Sequence, residues 1–270
     1  MNYYFRNTGN SWADPNNWSD TDGGAAHPSG VIPTTTDDVF FTANSGDVIQ
    51  DTGVNTIIGN LDCTGYTGTM SLTAAEGIPC SLTMGGNITF SSTMSLVFGS
   101  STLGIINATA STITTSGHII RSFVINGTTA PVITLMDTLN ADQITFNTAT
   151  TAVTWTGSFG FITNNLVSSD NIGKTITFEA GNEYKTSSFT AIANDGALHG
   201  KIVSSVPGTR ARFTVTGEEQ VAFMDFTDID ASGGRTIYTF NGVVTNCINV
   251  YSFVEPIAIP DSTVASSFAI

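Results

Sequence analysis

Between residue 61 and about residue 250 the chain repeats one short phrase: four to six Thr, Ile, Leu, Val and Phe residues, closed by Gly, Asn or Ser. Ser81-Leu82-Thr83-Met84, Asn87-Ile88-Thr89-Phe90, Ser95-Leu96-Val97-Phe98, Val132-Ile133-Thr134-Leu135, Gln143-Ile144-Thr145-Phe146 and Lys174-Thr175-Ile176-Thr177-Phe178 are instances. Side chains branched at Cβ are stiff and pack well on a pleated surface, and alternation of apolar with polar residues gives each strand one inward face. No comparable stretch carries apolar residues at helical spacing. The fold class is all-β, built from many short strands.

Thr-x-Thr triplets stand at 112–114, 154–156, 175–177 and 214–216, at intervals of 42, 21 and 39 residues, with Val132 to Leu135 near the gap. A pitch near 21 residues predicts a parallel β-helix, a solenoid with three short strands per coil. A β-sandwich or jelly roll, with short strands every 8–12 residues or about that, is the alternative. Residues 1–45 differ from the rest, with Trp12, Trp18, Asp14-Pro15-Asn16-Asn17, Gly23-Gly24, Pro28 and Pro33. They are expected to form an N-terminal cap over the first end of the solenoid, with strands at Tyr3 to Arg6 and Asp38 to Thr42. Residues 46–253 then form the solenoid, with longer, more aromatic strands at Arg210 to Thr216, Val221 to Asp230, Thr236 to Phe240 and Asn249 to Phe253. Residues 254–270 read as an extended tail ending Phe268-Ala269-Ile270.

Composition narrows function by exclusion. Charged residues are 11% and hydrophobic residues 40%, the reverse of a disordered chain. Lys and Arg number 8 against 22 Asp and Glu, a formal net charge of −14, and no Lys or Arg lies between Arg6 and Arg121. Nucleic acid and anionic membrane surfaces are therefore not expected partners, and no run is apolar enough to span a membrane. The opening Met1-Asn2-Tyr3-Tyr4-Phe5-Arg6 lacks the pattern of a signal peptide, so the chain is expected to stay in the cytoplasm in which it is made or to leave it by lysis. Cys63, Cys80 and Cys247 have no metal-ligand spacing and are expected as buried free thiols, Cys63 and Cys80 on successive turns.

Chemistry-bearing motifs are few. His27, His118 and His199 are far apart, and nucleophile elbows, phosphate loops, dinucleotide fingerprints and zinc patterns are all missing, so no cofactor is expected. One acidic run stands out, Asp225-Phe226-Thr227-Asp228-Ile229-Asp230. On a single strand Asp228 and Asp230 would share one face and Asp225 the other. Carboxylates across a groove would suit glycoside hydrolysis or calcium; Asp230-Ala231-Ser232-Gly233-Gly234 also reads as turn chemistry. Trp12 and Trp18 are either cap residues or a stacking surface for a carbohydrate or another partner. Phe268 and Ile270 are candidate partner contacts.

The ends of the chain carry a family resemblance. Trp12-Ala13-Asp14-Pro15-Asn16-Asn17-Trp18-Ser19, then Gly23-Gly24 and Pro33-Thr34-Thr35-Thr36-Asp37-Asp38-Val39-Phe40-Phe41, resembles the opening of a group of tailed-bacteriophage structural proteins. Leu61 to Met70 is similar to the phrase that follows in them, and Val221 to Ser232 resembles their last coil. Related openings occur in bacterial surface adhesins. The closing Asn241-Gly242 and Asn246 to Phe253 depart from the group's usual ending. The resemblance implies a right-handed parallel β-helix exposed on a virion and no catalytic residues. On that reading the chain is a non-enzymatic capsid decoration, head fibre or tail-associated component. It would contact other virion proteins and form homo-oligomers, trimers among them. The alternatives are a glycan-binding adhesin or receptor-binding protein, and a tailspike-like polysaccharide depolymerase acting through Asp225, Asp228 and Asp230.

Overall fold

The computed structural model describes residues 1–52, 55–73, 80–106, 110–127, 130–147, 150–168, 173–191, 199–217 and 219–253. Within them the chain is a parallel β-helix. A twelve-stranded sheet begins with Trp18–Ser19 and Asn2–Phe5 and ends with Val244–Thr245; a nine-stranded sheet runs from Thr56–Ile58 to Ile229–Asp230. Two three-stranded sheets complete the ends, Val48–Ile49 with Thr69–Leu72 and Ser95–Phe98, and Glu219–Ala222 with Ile237–Phe240 and Val250–Phe253. Among the described residues one strand pair, Asn2–Phe5 with Trp18–Ser19, is antiparallel and the others are parallel. A sandwich or jelly roll, built from antiparallel hairpins, is thereby overturned.

One coil can be followed directly. Val132–Leu135 lies in the twelve-stranded sheet, Met136 to Thr138 turns the chain, and Leu139–Phe146 enters the nine-stranded sheet before Ala152–Gly157 returns. The long strands are bent. Ile120 pairs with Ala141 and Ser122 with Gln143, which leaves Arg121 and Asp142 at a corner, repeated at Asn164 and Ser187. Each such coil therefore has three straight runs. Buried Thr163 and Thr186 stack inside this corner and turn their hydroxyls onto its carbonyls, Thr163 at 3.1 Å from Asn165 O and Thr186 at 2.6 Å from Ser188 O.

In the middle coils the register gives the pitch. Thr112 pairs with Thr134 and Thr134 with Thr156, steps of 22, and Thr154 pairs with Thr177, a step of 23. The triplet at 214–216 does not belong to that column, because Ala211–Val215 lies in the nine-stranded sheet. Inward residues stack coil on coil, as in Leu103, Phe123, Ile144, Leu166 and Phe189, and all five are buried. Each such side chain contributes about 1.5–3 kcal/mol through apolar surface removed from water.

The predicted strand Val221 to Asp230 is in fact three: Glu219–Ala222, Met224–Thr227 and Ile229–Asp230. Phe223 at φ 54° and Asp228 at φ 56° sit at the breaks, and a left-handed residue turns the strand direction sharply. The three cysteines are free, Cys63 and Cys80 buried and Cys247 half-buried; Cys80 Sγ lies 3.2 Å from Gln50 O and 3.3 Å from Ser101 Oγ.

Candidate functional site at the C-terminal coils

The acidic run lies on the last coils, and its three aspartates occupy three different settings. Asp228 fills the left-handed corner between Met224–Thr227 and Ile229–Asp230, and the pairing of Thr227 with Thr245 stacks it on Asn246, itself at φ 52°. Asp and Asn tolerate this conformation better than other side chains that carry a Cβ. The Asp228 carboxylate accepts the Gly208 N–H at 2.9 Å and the side-chain amide of Asn246. These donors, the Gly208 N–H foremost, hold the carboxyl below its ordinary range. Arg210 clamps the same column, its Nε donating to Asn246 O at 2.7 Å.

Asp230 accepts the Ser232 N–H at 2.9 Å, a two-residue turn, and hydrogen bonds from Ser232 hold its carboxyl below the ordinary range. Asp225 projects outward from Met224–Thr227, accepts the Val243 N–H at 2.8 Å and faces His199 Nδ1 at 2.7 Å. The expected grouping of Asp228 with Asp230 on one strand face is thus corrected: a corner separates them, and each carboxylate serves its own backbone donors. His199, 26 residues before Asp225, reaches it across one coil and also lies against Phe223, ring centroids 5.8 Å apart. Among the described residues no three His, Cys, Asp or Glu are grouped to hold a metal ion.

Trp12 and Trp18 are at the opposite end, and both are 0% exposed. They pack edge to face at 4.8 Å, with Phe5 and Phe41 around them, and Trp18 Nε1 donates to Trp12 O at 2.9 Å. Neither ring has a free face to offer a sugar or a partner. Phe268 and Ile270 lie outside the described residues.

A cluster of exposed rings lies at the C-terminal end, in strands that the sequence marked only as more aromatic; Phe159, 43% exposed, stands apart from it. Register places Tyr238 beside Tyr251 and Phe240 beside Phe253 on two neighbouring strands. Tyr238 stacks on Phe253 at 5.5 Å and on Tyr251 at 6.2 Å, and the two tyrosines are 38% and 55% exposed. Phe223 adds its edge to Phe240 at 6.4 Å, so the rings form a band around the last coils. At the next corner Asn241, at φ 55°, leads into Gly242, where a Cβ would fall 1.9 Å from Met224 O. Only glycine fits so close to the preceding coil. Alternating Tyr and Phe in Ile237-Tyr238-Thr239-Phe240 and Val250-Tyr251-Ser252-Phe253 was the available signal. Comparison with protein-family models, with curated proteins and with solved structures returns no match.

Proposed function

We propose that this chain is a non-enzymatic structural component of a tailed-phage virion, a rod-like capsid decoration, head fibre or tail-associated part. The observation that carries the reading is the use made of the acidic run. Asp228 and Asp230 hold corners of the solenoid through backbone N–H groups, and Asp225 ties one coil to the next through Val243. Carboxylates committed to turn geometry in this way support a fold-building role over hydrolysis of a glycosidic bond, which needs two carboxyls facing one substrate. The residues that resemble phage structural proteins, 12–41, 61–70 and 221–232, fall toward the two ends of the solenoid.

Peptide mass spectrometry on purified particles, with copy number measured against the major capsid protein, tests the reading. The protein is expected in particles at a fixed stoichiometry. Absence from particles overturns the proposal. A polysaccharide-cleaving activity that disappears in Asp228→Asn, with the fold retained, would replace it with the depolymerase reading.

A further inference from the structure

The two ends of the solenoid are not alike. At the first end Trp18–Ser19 lies antiparallel on Asn2–Phe5, and the Arg6 N–H donates to Asn17 O at 2.8 Å, so the edge of the twelve-stranded sheet is covered. At the last end Val250–Phe253 pairs on one side only, with Ile237–Phe240. The N–H groups of Ile237 and Asn241 donate to Asn249 O at 3.1 Å and Phe253 O at 2.8 Å. Backbone groups alternate in direction along a strand, so Val250 and Ser252 turn theirs to the other side. No strand among the described residues pairs there.

An open edge of this kind is a template for another strand. Its surroundings are apolar: Tyr251, Val243 and Ile248 are 55%, 58% and 40% exposed. The charge is distributed to match. Residues 1–120 carry one Lys or Arg against nine Asp and Glu, whereas residues 199–253 carry four against five. Residues 254–270 add two acids and no Lys or Arg, so two C-terminal ends still meet less repulsion than two N-terminal halves would.

We infer that the C-terminal edge docks a second copy of this chain, Val250–Phe253 pairing antiparallel with its mate across a two-fold axis and Tyr251 rings packing beside the seam. A two-fold contact uses the same patch on both partners and closes on itself. The two-fold contact uses up the C-terminal edge of both partners, so growth at that edge stops at the dimer. The inference does not rest on the virion reading, and a dimer found in a protein absent from particles would leave it intact.

Sedimentation velocity on the full chain across the micromolar range tests it, with two variants. Ser252→Pro removes an N–H that the coil itself does not use, and edge strands accept proline. Tyr251→Lys places a charge at the seam and leaves the backbone unchanged. The wild-type chain is expected to be a dimer, Ser252→Pro a monomer with an unchanged circular dichroism spectrum, and Tyr251→Lys a dimer weakened at least about tenfold, or 1.4 kcal/mol. A wild type that stays monomeric overturns the proposal, as does a trimer. Should Ser252→Pro fail to fold, a Tyr251→Lys chain that dimerises like wild type overturns it as well.

Discussion

Asp228 shows how much of this molecule turns on a single backbone conformation. Its alternating neighbours make it look like an ordinary strand residue, yet it stands at φ 56° with its carboxylate on Gly208 N–H and Asn246. Asp228→Asn keeps a side chain that tolerates the left-handed region, whereas Asp228→Ala loses both that tolerance and the acceptor. The melting temperature is expected to fall in both variants and further in Asp228→Ala, as differential scanning calorimetry at neutral pH would record. The pH dependence has a definite sign. Hydrogen bonds lower the folded-state pKa below its unfolded value, so the stabilisation is full above about pH 4 and is lost as pH falls through the folded pKa. The melting temperature of Asp228→Asn should therefore drop less between pH 5 and pH 3, to about the nearest half unit, than that of the wild type. The corner was illegible in the sequence because Phe-Thr-Asp-Ile-Asp satisfies a strand pattern. Only the coil above, with Asn246 at the matching corner, distinguishes it. Trp12 and Trp18 were open between cap and ligand surface for a related reason: a large ring suits either, and burial alone decides.

At the scale of the element, the bent strands carry the clearest lesson. Gln143 to Phe146 reads as a strand, and so it is, but it belongs to Leu139–Phe146, an eight-residue strand with a corner at Asp142. Period-two alternation survives a bend, so the sequence marks the run and leaves the corner unmarked. The interior threonines could have flagged it. Thr163 and Thr186 are buried hydroxyls in register on successive coils, donating to carbonyls two residues on, just past the bend. Thr186→Val preserves shape and removes the donor. Losing one half-buried hydrogen bond costs about 0.5–1.5 kcal/mol, so chemical denaturation should show a loss of that size with an unchanged m-value. Thr190→Val, exposed on the outward side of the same strand, should shift stability by less than about 0.5 kcal/mol. Equal losses at the two positions would mean that the hydroxyl at the corner has no special part.

The whole molecule is a rod with a charge gradient along its axis. That gradient was legible from the outset, since no Lys or Arg falls between Arg6 and Arg121. The covering of the first edge of the twelve-stranded sheet was not, because it depends on one antiparallel pairing between Phe5 and Trp18, a contact that no local pattern encodes. Together they separate two ways in which copies could associate. Side-by-side packing brings nine acidic residues of one N-terminal half against nine of another, with one Lys or Arg on each. Such an arrangement should strengthen steeply with salt, as the Debye length shortens from about 10 Å at 0.1 M to about 3 Å at 1 M. End-to-end packing through residues 243–253 meets a nearly balanced surface and keeps the acidic halves at opposite extremes. Its dissociation constant should change by less than about threefold over the same range, with a small gain at high salt from exclusion of salt from apolar surface. Sedimentation equilibrium at the two ionic strengths measures this directly. A dimer that tightens more than about tenfold with salt would place the contact on the acidic flank of the rod, where screening has the most repulsion to remove.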